Sequence, residues 1–181
     1  MSMGWMDHMR DAVYLALCAA FSVDPKADAS LSRFVPAYYE NATNPQATRD
    51  TNICYYALSE EETPGTDYIQ VQYSGLGARI KKTIPVMALL TFYGPNADDD
   101  AETFWSMVQF DAGAISPRGV LRSKNVVLNG TPGRPVAVYE VEGTYHRRRC
   151  DVRLRLAYLE ITDQAIGLVE VPPDITTVTN I

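Results

Sequence analysis

The side chains that could do chemistry fall into two clusters. Asp98, Asp99 and Asp100 stand in a row, with Glu102 close behind. Carboxylates hold hard cations for phosphoryl transfer, so the row is a candidate metal cluster. Such a site needs side chains that converge, and consecutive residues opening a helix point apart. Neither an HxxE pattern nor a DxD with a distant acid joins them. Negative charge at a helix N-terminus, where the dipole favours it, explains the row more simply. The second cluster is His146-Arg147-Arg148-Arg149, directly before Cys150. On a strand, Arg147 and Arg149 share one face while His146 and Arg148 share the other. Three roles fit: a phosphate contact, plain surface charge, or salt bridges to acidic segments of another subunit. Those segments would be Glu60-Glu61-Glu62 or Asp98-Asp99-Asp100. Arginine suits the last role, because its planar fork pairs carboxylates through two hydrogen bonds at once.

Little else offers a reaction. Gly75-Leu76-Gly77-Ala78-Arg79-Ile80 starts like a nucleotide-binding loop, but Ile80 stands where a third glycine belongs and no helix follows, so it reads as a turn. Walker A, GxSxG and HExxH motifs are absent, and His8 and His146 are the only histidines. Nucleophile–base pairs therefore have little material. Cys150 beside the arginines reads as an inert strand thiol rather than an activated one. The expectation is a protein without catalytic residues, cofactor or metal.

Bulk properties narrow the class. A chain of 181 residues, 46% hydrophobic and 21% charged, matches one ordinary globular domain over 1–181. No apolar run approaches the roughly 18–20 residues that span a bilayer. Asp7, His8, Arg10 and Asp11 interrupt the first apolar stretch, which argues against a secretory signal. Three widely spaced cysteines without a CxxC read as reduced thiols of a cytosolic protein. A net charge of −6 argues against sequence-independent binding of nucleic acid.

The elements that position these clusters are organised around Ile84 to Ala112. Val86 to Tyr93 is apolar on both pleat faces except at Thr91, so it reads as an interior strand. Gly94-Pro95 ends it, Asn96 is a good N-cap, and Ala101, Phe104, Trp105 and Val108 form one helical stripe. The spacing predicts a helix over Asp98–Phe110 that folds back on the sheet. An earlier helix is predicted over Gly4–Phe21, with Met6, Met9, Val13, Leu17 and Ala20 on its apolar side. Residues 24–50 and 113–135 read as extended connections rich in proline or glycine. Strands are expected at Asn52–Leu58, Asp67–Ser74, Arg79–Thr83, Val126–Leu128, Cys150–Ile161 and Ile166–Val171. Between Asp67 and Ser74, Ile69, Val71 and Tyr73 alternate with glutamines and serine. The expected fold class is α+β: a mostly antiparallel sheet with two main helices packed on it, and extended arms.

Two segments together resemble the neck and tail terminator proteins of tailed bacteriophages. One is LLTFYGPNADDDAETF, an apolar strand ending in FYGPNA before an acidic helix start. The other is TYHRRRCDVRLRLAYLE, similar to that family's late arginine-rich strand, with Tyr145 where an aromatic is usual. The GTPGRPV stretch and the loop with Asn125 are similar in spacing, so the resemblance runs from Thr51 to Glu160. It implies a virion structural protein, assembled in the host cytoplasm, that forms a hexameric ring at the head–tail neck. Such a ring ends the tail tube, meets the connector or collar and the tube or sheath proteins, and lets DNA pass without specific binding. The alternatives are a collar or gateway subunit of the same neck and, in another class, a metal-dependent enzyme using Asp98–Asp100. For a ring, the expected subunit contact is the face of Arg147, Arg148 and Arg149 on an acidic patch of the next copy: Glu60, Glu61 and Glu62, or Asp98 and Asp99.

Overall fold

The computed structural model describes residues 4–26, 33–37, 50–60, 68–74, 77–110, 113–142 and 145–165. Among these residues there are three helices, α1 (Trp5–Ala20), α2 (Ala97–Phe110) and α3 (Pro117–Ser123). Seven strands form one sheet: β1 (Phe34–Pro36), β2 (Ile53–Glu60), β3 (Tyr68–Ser74), β4 (Gly77–Tyr93), β5 (Val126–Leu128), β6 (Val136–Glu142) and β7 (Tyr145–Ala165). Among the described residues only β1 runs parallel to its neighbour; the other pairings are antiparallel. The fold class is α+β, as the sequence predicts.

The spine is the ladder between β4 and β7, continuous from Gly77 opposite Ala165 to Tyr93 opposite Arg149. Its flanks are shared. Along β4, β3 pairs with residues 77–83 and β2 with residues 86–93. Along β7, β6 pairs with residues 145–151 and β5 with residues 156–158. The strands expected at Arg79–Thr83 and Val86–Tyr93 are therefore one. Pro85 falls in the gap where β4 changes partner from β3 to β2, a place in a sheet that tolerates a missing N–H.

All three helices cover one face. On that face β4 presents Ile84, Val86, Ala88, Leu90 and Phe92, and β7 presents Cys150, Val152, Leu154 and Leu156, all buried. α1 answers with Met9, Ala12, Val13, Ala16 and Leu17, and α2 with Ala97, Ala101, Phe104 and Val108. These spacings are the i, i+3, i+4 stripes that let a helix bury one side. Phe92 sits between Phe21 and Phe104, its ring centroid 6.2 Å from each. The opposite face is wetter: Arg153 and Arg155 are exposed there beside half-buried Met87 and Leu89.

Three elements differ from the sequence expectation, the first being β1, a short strand within the connection expected at 24–50. The connection at 113–135 contains α3, capped by Ser116, whose Oγ accepts from Gly119 N at 3.1 Å, with Pro117 in its first turn. β6 is a strand the sequence reading did not separate from its loop. Most of residues 24–50, together with Glu61, Glu62 and the strand expected at Ile166–Val171, lies outside the described residues.

Candidate interaction surface

The corner between β4 and α2 sets the position of the aspartates. Gly94 has φ 113°, a conformation open to glycine, and a Cβ there would meet Thr51 O and Asn52 Oδ1 at 2.6 Å. Asn52 Oδ1 accepts from Asn96 N at 3.1 Å, so the residue just before β2 anchors the turn into the helix. The first turn of α2 then divides its carboxylates. Asp98 pairs with Arg148 at 2.5 Å and Asp100 with Arg33 at 3.7 Å, while Asp99 and Glu102 are exposed. Arg33 also lies over the rings of Phe21 and Phe34, 4.7 and 5.6 Å from their centroids. Burial raises the Asp100 carboxyl above its ordinary range, against the lowering effect of Arg33. The row thus diverges as expected for a helix start. Among the described residues no grouping of His, Cys, Asp and Glu could hold a metal ion, and no helix is long and apolar enough to cross a membrane.

The arginine cluster also divides by face. The register places Arg148 and Cys150 on the helix-covered side, with Arg149 on the other. Arg149 grips Asp151 with both arms, Nε to Oδ1 and Nη2 to Oδ2 at 2.8 Å each, and pairs with Glu140 of β6. The Tyr93 hydroxyl donates to Glu140 at 3.3 Å. These hydrogen bonds, that of Asp151 first, hold the Arg149 guanidinium above its usual pKa. Burial pushes the Cys150 thiol up to about 11, and the Asp98 and Asp151 carboxylates push the same way. A thiol so shifted stays protonated and unreactive.

The residues singled out from the sequence are thus brought together only in part. Asp98 and Arg148 meet within one chain. Glu60 ends β2 opposite Val86, seven residues down β4 from the arginines, roughly 24 Å of strand away. The side chain of Arg147 lies outside the described residues. The described partners of Arg148 and Arg149 belong to their own chain, so the arginine face stitches β6, β7 and α2 together.

The exposed apolar residues lie elsewhere. Beyond Ile84 the sheet outruns its helices, and β3 with the ends of β4 and β7 forms a projecting tip. Ile69, Val71 and Tyr73 stand on its surface, 61%, 42% and 73% exposed. At the other end of the ladder, Tyr139 and Val141 share one face of β6 and are 72% and 68% exposed, while Val136, 59% exposed, lies on the other face. Exposed apolar residues grouped in this way mark contact surfaces more often than singly scattered ones. The first patch shows in the sequence as the alternation of Ile69, Val71 and Tyr73. The second was missed, although the β-branched run after Pro135 signals it. No protein-family model matches the chain, and no curated protein is significantly similar to it.

Proposed function

We propose that this chain is a virion structural protein of a tailed bacteriophage. It acts as a tail terminator that forms a ring at the head–tail neck, stops the tail tube and leaves an axial passage for DNA. The single observation that supports a ring is the pair of unlike apolar strand patches at opposite ends of one ladder. A cyclic assembly repeats a heterologous contact, and that contact needs two different surfaces on every copy. The resemblance of FYGPNA and the arginine-rich strand to neck proteins supplies the place of the ring. The charge of −6 is consistent with a wall that DNA slides past rather than one that grips phosphates. Connector or collar proteins would lie on one side of the ring, and tube or sheath proteins on the other.

The test is the shape of the purified chain. Native mass spectrometry is expected to show one discrete multimer above dimer, and electron microscopy a closed ring with a hole wide enough for duplex DNA. A species that stays monomeric, or a metal-dependent activity lost on neutralising Asp98–Asp100, overturns the reading.

A further inference from the structure

Two strand edges carry few of the devices that keep sheets from joining: β3 has none, and β6 has only Glu140 and, at its last position, Glu142. Natural edges carry lysine, proline or an inward charge that discourages a further strand. β3 reads Tyr-Ile-Gln-Val-Gln-Tyr-Ser, with neither a charge nor a proline. Among the described residues it pairs with β4 alone, and β6 pairs with β7 alone. The charge in the middle of β6, Glu140, is turned to the back face and held by Arg149.

We infer that each edge is covered by the other edge on a second copy of this chain: β3 of one protomer adds antiparallel to β6 of its neighbour. This rests on the ring reading and names the contact that would build it. Length agrees, since both strands have seven residues. Direction agrees as well. β3 opposes β4, β4 opposes β7 and β7 opposes β6, so copies with their helices on the same side bring β3 and β6 together running oppositely. Chemistry agrees in turn. The register puts Ile69, Val71 and Tyr73 on the helix side of the sheet, and Ala137, Tyr139 and Val141 on that same side. Aligned at their centres, the strands set Ile69 opposite Val141, Val71 opposite Tyr139 and Tyr73 opposite Ala137, apolar against apolar. At the rim, Lys82 of β4 flanks β3 on the helix side. Asp99 and Glu102 are exposed on α2, which the Asp98–Arg148 pair fixes beside β6. Opposite rim charges favour this docking over copies meeting like edge to like.

The experiment uses Val71→Lys and Tyr139→Lys, both at exposed positions, each checked by circular dichroism to be folded as the parent chain is. Either variant alone is expected to lose every multimer in native mass spectrometry. Mixed in equal amounts they should form one-to-one heterodimers and nothing larger. The Tyr139→Lys copy keeps a sound β3, and the Val71→Lys copy a sound β6. Should a lysine disturb the fold, Val71→Cys and Tyr139→Cys replace them. Oxidation should then cross-link the mixture into heterodimers, and neither variant should cross-link with itself. A parent multimer that survives in both variants rejects this contact and leaves the ring standing, with another strand or surface as its partner. A mixture that stays monomeric also rejects the contact. A parent chain that is monomeric at every soluble concentration rejects contact and ring together.

Discussion

Cys18, Cys54 and Cys150 are all buried, and burial raises the thiols of Cys54 and Cys150 above their ordinary range. At pH 8 the folded chain is therefore expected to react with no equivalent of a disulfide reagent, and with three once denatured. Burial likewise raises the Tyr56 phenol. For groups whose folded pKa exceeds the unfolded one, stability is complete below the unfolded value and lost as pH rises through the folded one. Urea midpoints should accordingly hold up to about pH 9 and fall between about pH 9 and pH 11, where unfolded thiols ionise and the Cys150 thiol does not. A flat profile over that interval would contradict the burial. The inert strand thiol was legible from the sequence, since Cys150 sits among alternating apolar residues. The ties of Arg148 and Arg149 were not. Glu140 lies in a strand that had not been recognised, Asp151 is two residues on in the same strand, and Asp98, expected as a partner from another subunit, reaches across from a helix of the same chain.

At the scale of elements, the FYGPNA corner and the loop at Gly130 make a natural comparison. Both glycines have positive φ, yet a Cβ at Gly94 would strike backbone and side chain, while one at Gly130 would meet nothing within 4 Å. Gly130→Ala should cost about 1 kcal/mol, the ordinary penalty of a left-handed alanine. Gly94→Ala should cost at least ~2–3 kcal/mol more in urea unfolding, because the turn that seats α2 must move. Equal losses would mean that Asn52 yields freely. The corner could be read from sequence because its signals are local: an apolar strand, Gly-Pro, then acids. α3 could not, because Gly119 looks like a helix breaker. It is there for space, since a Cβ would come within 2.1 Å of the Gly113 carbonyl oxygen. Packing of the preceding loop, invisible in the sequence, decided the residue.

For the molecule as a whole, the helix layer divides the long ladder into a covered body and an uncovered tip. Hydrogen exchange on the unassembled chain should be slowest at Val86–Tyr93 of β4 and along residues 150–156 of β7, both packed under α1 and α2. Gly77–Thr83 and β3 should exchange faster, and β3 and β6 should both gain protection on assembly. Uniform protection along β4 would deny the division. The sequence showed two strands here because polarity changes at the Lys81-Lys82-Thr83 segment and Pro85 intervenes. The change reflects where helices stop rather than where the strand does. Pro85 brings a mechanical consequence of its own. At residues 84 and 85, where lateral support passes from β3 to β2, β4 is paired with β7 alone, so bending concentrates there. A load on the protruding end is met by an articulation before it reaches the body.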